Sequence, residues 1–509
     1  MRRGLLLCAC AALVLHGAAA AGQLTLDTLP ALQARLAALL DQPRFAQAQW
    51  GVKVVSFDSG ETLFERNADK LLKPASNAKL YTAALALDRL GPDYRIQTSF
   101  YAAAKPDAQG VIHGDLLVYG RGDPSFSARF NGGDYKKALQ PALDALLAAG
   151  VKKIDGGIIG DESFFHGAPF GSAWTWEDLQ EYYGAPASAL TFQDNVLDLM
   201  FRPGRAAGDP CAIVTLPETS IVTFSNRTQT VPRGKSGRIR LYRPLGESVV
   251  YAWGSVPLGS AGESEAVSVP RPALWFATML KEGLTRQGVT VAGGVRQEDW
   301  LTREASPIPR SHLTEIGSVP SRPLAEIVQQ TLKPSENLYA QLLWLQVGAK
   351  AGPTNGASDR STEAQGLAEM QLFLRSAGIS PTMARLHEGS GLSRACLVTP
   401  SATVQLLTFM NTSRCRDAFV DALPLAGVDG TLRNRFKGTV AAGNLRAKTG
   451  SLAGVDTLSG YVTTAGKEKL VFSIMLNNDR DESEARMAID AVALQLAEFN
   501  RQNSANKAP

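Results

Sequence analysis

Three short groupings hold side chains suited to covalent chemistry on a carbonyl: Ser76-Asn77-Ala78-Lys79, Ser335-Glu336-Asn337 and Lys448-Thr449-Gly450-Ser451. A serine hydroxyl is a weak nucleophile at neutral pH and needs a base within hydrogen-bond reach. Positions i and i+3 of a helix share a face, so a helix starting at Ser76 sets the Lys79 amine beside the Ser76 hydroxyl. The N–H groups and positive dipole end of such a helix favour developing negative charge. Ser-x-x-Lys alone is short enough to arise by chance, and the polar tail carries a second one at Ser504–Lys507. Lys235-Ser236-Gly237 imitates the third grouping but precedes Ser335, which breaks the order, and it reads as a basic turn.

The surrounding elements must bring these groups together. Pro74 and the Ser76/Asn77 pair before "KLYTAALALDRLG" read as a helix start, running to about Leu90. Upstream, "QWGVKVVSFDSGETLFERN" reads as two strands around a turn at Asp58-Ser59-Gly60. Ser335 and Asn337 lie where a loop enters the helical run "LYAQLLWLQV". Lys448 falls on the first of three successive strands, "LRAKTGSLAG", "TLSGYVTTAG" and "KLVFSIMLNND", whose order predicts an antiparallel meander, with a closing helix "SEARMAIDAVALQLAEFN". Between about Gln97 and Pro309, short β-like runs alternate with Gly, Pro, Asp and Ser clusters. The fold class expected is α/β: an antiparallel sheet flanked by helices, split by a large strand-rich insertion.

At 509 residues, 45% hydrophobic and 20% charged, the chain is globular and long enough for two to four domains. A net charge of +4 and no dense Lys/Arg stripe leave nucleic-acid binding without support. Arg2 and Arg3, the apolar run Leu5–Leu15 and the small residues up to Ala21 read as a secretory signal peptide over 1–21, too short to span a bilayer. An exported mature chain without a transmembrane anchor is expected. It retains Cys211, Cys396 and Cys415, so at most one disulfide, with Cys396–Cys415 or three free thiols as the alternatives. The histidines show no zinc-binding spacing, so neither a metal nor another cofactor is expected.

Ser-x-x-Lys, Ser-x-Asn and Lys-Thr-Gly in this order are the motif set of the serine penicillin-binding proteins and class A β-lactamases. The segments "GRGDPSF", "IDGGIIGDESFF", "EGSGLSR" and "LPLAGVDGTLRNR" extend the likeness. The chain resembles the class C low-molecular-mass penicillin-binding proteins, the D-alanyl-D-alanine carboxypeptidase/endopeptidase family (peptidase family S13). The resemblance implies a catalytic domain of residues 22–96 and 310–509, interrupted by domain II (97–185 and 263–309) and a nested domain III (186–262). It implies cleavage of peptidoglycan stem peptides and cross-links, with β-lactams as covalent inhibitors.

On this reading Ser76 attacks the carbonyl, and Lys79, with its pKa depressed by Lys448, takes the serine proton. Ser335 relays a proton to the leaving amine. Asn337 binds a substrate amide and orients Lys79, while Lys448 and Thr449 hold the terminal carboxylate. Gly450 lets the substrate backbone approach, and the N–H groups of Ser76 and Ser451 form the oxyanion hole. The resemblance also assigns Asp161 to the amine of the peptidoglycan diamino acid. Rival readings are a β-lactamase or esterase with the same acyl-enzyme chemistry, and a non-catalytic penicillin- or wall-binding protein.

Overall fold

A computed structural model describes residues 27–308, 310–352 and 361–501. The signal peptide read at 1–21 and the second Ser-x-x-Lys at 504–507 lie outside the described residues. One sheet carries the third motif. Its strands are β1 (Gln49–Ser56), β2 (Thr62–Arg66), β3 (Arg446–Leu452), β4 (Val455–Thr463) and β5 (Lys469–Asn477), all antiparallel, in the order β3-β4-β5-β1-β2. The meander expected from the last three strands is present, and β3 lies at the sheet's edge.

Helices cover both faces, which explains the near-continuous apolar run of β5. Leu470, Phe472, Ile474 and Leu476 face the core built with α1 (Leu29–Leu40), and Val471 and Met475 face the core of α2 (Ala78–Leu90). Ten consecutive residues of α2, Ala78–Leu87, are buried, and so are Asn337–Gly348 of α3 (Asn337–Ala351). A helix apolar on every side belongs inside a domain. These two central helices carry the first and second motifs. The closing helix α4 (Glu482–Glu498) packs with α1 against the first face.

The insertion builds its own sheet, with strands in the spatial order Val295–Glu298, Ile158–Asp161, Leu116–Tyr119, Gln97–Ala102 and Thr314–Pro320. Two three-stranded sheets lie within 196–268, and all share a core with helices Gln140–Ala148 and Pro272–Arg286. Two pairings cross the domain limits drawn from sequence. Thr314–Pro320, placed there with the catalytic domain, pairs with Gln97–Ala102 of the insertion, and Glu263–Ser268 pairs with Val196–Arg202. Such long-range pairing leaves no mark in local periodicity. The three cysteines are buried free thiols. Among the described residues no helix is long and apolar enough to cross a membrane.

Candidate active site

Ser76 does not begin the α-helix. It sits in a 3₁₀ turn, Ala75–Asn77, directly ahead of α2. Asn77 makes no side-chain cap; its Nδ2 donates to Ser459 Oγ on β4 at 2.7 Å, pinning the turn to the sheet. Ala75 has φ +46°, a left-handed conformation costing an L-residue on the order of 1–2 kcal/mol. Two glycines allow the packing that holds it. A Cβ on Gly391 would stand 2.0 Å from the Ala75 carbonyl oxygen. One on Gly450 would stand 2.7 Å from the Pro74 oxygen and 2.8 Å from the Ser76 nitrogen.

Gly450 thus lets β3 lie against the turn that carries Ser76. A Cβ there would also stand 2.4 Å from Thr457 Oγ1, and because two of the three obstructing atoms are backbone, Gly450→Ala is expected to displace β3 and lower the reactivity of Ser76 at least about tenfold. A stopped-flow acylation assay checks this, and an unchanged rate would show that the close approach is dispensable.

The first two motifs meet at Lys79. Its Nζ donates to Ser76 Oγ at 2.7 Å, to Asn337 Oδ1 at 2.6 Å and to the Ser390 carbonyl at 2.8 Å. Lys448 Nζ donates to Ser335 Oγ at 2.8 Å and to the Thr449 carbonyl at 2.7 Å. Both lysines are fully buried. Burial lowers Lys79 to about 8, against the opposing pull of Glu388 and Glu336. Lys448 is lowered well below its ordinary value by burial first and then by the charge of Lys79. Desolvation is the first cause for both lysines, and the repulsion between the two amines comes second to it.

Asn337 is held at both ends of its amide, because its Nδ2 donates to the Tyr183 carbonyl at 2.8 Å. Tyr183 belongs to the insertion, so that unit supports the second motif directly. A second tie is ionic. Arg129 Nη2 donates to Glu336 Oε2 at 2.8 Å, and its Nε pairs with Asp194, which also accepts from Tyr339 Oη. Burial first, and then Asp194, raise the pKa of Glu336. Asp194 stands in a run of three left-handed residues, Gln193, Asp194 and Asn195, with φ +48°, +57° and +55°. The Asn195 side chain closes this turn by accepting from Phe192 N and donating to the Pro186 carbonyl. Ser335, with φ +69°, is strained as well. A strained turn gripping a strained motif is a positioning device. Arg129→Met is expected to cut kcat/KM about 10²-fold through displacement of Ser335 and Asn337, measured on a small peptide substrate.

Glu388 went unassigned in the sequence reading beyond its place in "EGSGLSR". Its carboxylate, fully buried, accepts from Ser390 N and Gly391 N, both at 2.7 Å, and from Ser390 Oγ at 2.6 Å. It shapes the loop whose Ser390 carbonyl receives Lys79. A glutamate followed by Gly-Ser-Gly was the available signal.

On β3, Thr449 Oγ1 donates to Thr431 Oγ1 at 2.8 Å, and Ser451 Oγ donates to Asp456 Oδ1 at 2.7 Å. Asp161 forms no hydrogen bond to the three motifs among the described residues. It is 1% exposed; Oδ1 accepts from Ser163 N at 3.0 Å and Oδ2 from Arg303 Nη2 at 2.7 Å. Its carboxylate is thus held within the insertion, one oxygen by Ser163 and the other by Arg303. Among the described residues no cluster of three or more His, Cys, Asp or Glu is arranged to hold a metal.

Residues 32–499 match the D-Ala-D-Ala carboxypeptidase 3 (S13) family. The chain belongs to that family. It is 33% identical over 487 residues to the D-alanyl-D-alanine carboxypeptidase of Actinomadura sp. (strain R39), covering 92% of this chain and 85% of that one. It is 25% identical over 447 residues to the D-alanyl-D-alanine carboxypeptidase DacB of Haemophilus influenzae, covering 83% and 84% respectively. The crystal structure of penicillin binding protein 4 from Haemophilus influenzae matches the fold with a TM-score of 0.77 at 22% identity, over 92% of this chain and 99% of that one. As a member of the S13 family, the protein is a serine-type D-Ala-D-Ala carboxypeptidase with the penicillin-binding fold.

Proposed function

We propose that this carboxypeptidase is exported and acts on peptidoglycan through an acyl-enzyme on Ser76, with β-lactams as covalent inhibitors. The observation that carries the reading is the 2.7 Å contact between Lys79 Nζ and Ser76 Oγ, inside a site where burial holds the lysine near 8. Neutral Lys79 takes the Ser76 proton as Oγ attacks the carbonyl carbon between the two D-alanines. The Ser76 and Ser451 amides receive the oxyanion. As the C–N bond breaks, Ser335 passes its hydroxyl proton to the departing amine and is reprotonated by Lys448, which donates to it at 2.8 Å. Water then attacks the ester, its proton returns through Ser335 to Lys448, and Lys79 gives its proton back to Ser76 Oγ as the acid leaves. Lys448 and Thr449 hold the terminal carboxylate of the substrate. A cross-link offers the same D-alanyl carbonyl with a different leaving amine, so endopeptidase action needs no further catalytic group.

The test pairs release of D-alanine from a D-Ala-D-Ala peptide with intact-mass analysis after penicillin treatment. Turnover and a persistent adduct of one penicilloyl group, mapped to the peptide containing Ser76, are expected. A short-lived adduct with rapid penicillin hydrolysis would favour the β-lactamase reading. Labelling without peptide turnover would favour a non-catalytic penicillin-binding role.

A further inference from the structure

Within the insertion, strands Thr223–Val231, Val249–Pro257 and Arg238–Tyr242 form a three-stranded sheet with Val249–Pro257 at its centre. Its inner face is apolar: Val250, Ala252, Val256 and Ile239 are buried in the core of the insertion. The outer face ought to be an ordinary solvated one, and it is not. Trp253 is 42% exposed at the middle of the central strand, and Tyr242 is 43% exposed beside Tyr251. The two tyrosine rings stack at 6.3 Å between centroids, 27° from parallel.

The register sets a cation on each side of the indole. Trp253 is opposite Arg227 on one neighbouring strand and Arg240 on the other. Both arginines are exposed. Flat, rigid aromatic faces with a polar edge suit the C–H faces of sugar rings, and a guanidinium binds carboxylates through two parallel hydrogen bonds. The face therefore combines a surface for pyranose rings with charge complementary to carboxylates.

The face is also tied to the catalytic centre. Arg243 directly follows the strand Arg238–Tyr242; its amide donates to Gln180 Oε1 at 3.1 Å and its Nη2 to the Leu179 carbonyl at 3.0 Å. The same segment supplies the Tyr183 carbonyl that Asn337 engages.

We propose that this outer face binds the glycan chains of peptidoglycan, the sugars stacking on Trp253, Tyr242 and Tyr251 and the free carboxylates of the attached stem peptides pairing with Arg227 and Arg240. This rests on the reading of peptidoglycan as the substrate. The glycan is a second attachment point on the polymer whose stem peptides enter the catalytic site, so it raises the local concentration of those peptides without any added contact at Ser76.

The test is co-sedimentation with insoluble peptidoglycan, using Ser76→Ala protein so that acylation contributes nothing. Trp253→Ala and, separately, the surface pair Arg227→Glu/Arg240→Glu are each expected to weaken retention at least tenfold. In the active protein the same changes should leave turnover of a small soluble D-Ala-D-Ala peptide within about twofold. Equal retention of both variants and the parent would overturn the proposal. So would parent protein binding heparin as tightly as peptidoglycan, since that identifies a general polyanion patch. Failure of the active protein to turn over the small peptide would sink the catalytic reading instead, and the sedimentation of the Ser76→Ala protein reads independently of it.

Discussion

Ser76→Ala is expected to abolish both D-alanine release and penicillin labelling while leaving the fold intact. Removing the nucleophile of a covalent hydrolase costs on the order of 10⁶-fold in kcat, because the remaining groups have nothing to act upon. The structural cost is small. Ser76 is half-buried, and its hydroxyl accepts one hydrogen bond, from Lys79. Lys79 keeps its bonds to Asn337 Oδ1 and the Ser390 carbonyl, so of its three donors only the one that faced Ser76 loses its partner. The turn itself is fixed by Asn77 and by the approach of Gly450 and Gly391, none of which involves the hydroxyl. The expected result is therefore an inactive protein with a melting temperature within about 2 °C of wild type, still able to bind the peptide non-covalently. Fluorescent-penicillin labelling and calorimetry check both halves. Labelling of Ser76→Ala at the wild-type level would place the nucleophile elsewhere.

The residue types and order of the three motifs were legible because each needs only a local context: a turn entering a helix, a loop entering a helix, a strand in a meander. The antiparallel sheet was legible for the same reason, since β3, β4 and β5 are consecutive. What local pattern does not carry is which distant groups close the site. Nothing in "FSARFNGG" marks Arg129 as the partner of Glu336, 207 residues away, and nothing in "TFQDN" shows three successive left-handed residues. The strain at Ala75 is equally silent, since alanine has no preference for that conformation. The Arg303 that pairs with Asp161 likewise lies 142 residues on, where only the fold brings it near. At Gly450 a side chain would clash with Thr457, Pro74 and Ser76, and a strand read alone cannot reveal neighbours from other segments.

Lys79→Met is expected to lose about 10³-fold or more in kcat/KM and, in the same protein, to lose part of the pH dependence of stability. For catalysis the neutral amine is the active form. With Lys79 near 8, wild-type kcat/KM should rise tenfold per pH unit on the acid side and level off above about 8. For stability the folded chain holds this lysine at about 8, and the unfolded chain returns it to its ordinary 10.5. Between those values the unfolded state binds the extra proton, so stability rises with pH across that window, by about 3 kcal/mol from this group. Below pH 8 the full penalty for burying the cation stands. Lys448, depressed by burial and by Lys79, adds in the same direction. Methionine removes the buried charge but strands Asn337 Oδ1 and the Ser390 carbonyl, at about 1–3 kcal/mol for each buried acceptor left unpaired. At pH 7 these opposing effects are of similar size, so the variant should stay folded and close to wild type in stability. The difference emerges on raising the pH. From pH 8 to pH 10, wild type should gain stability over Lys79→Met by about 2 kcal/mol, read as a diverging melting temperature. Parallel pH–stability curves for the two proteins would mean that Lys79 is not held as a depressed, buried base. An amine that keeps its ordinary affinity for protons is charged at neutral pH and has no lone pair with which to take the Ser76 proton.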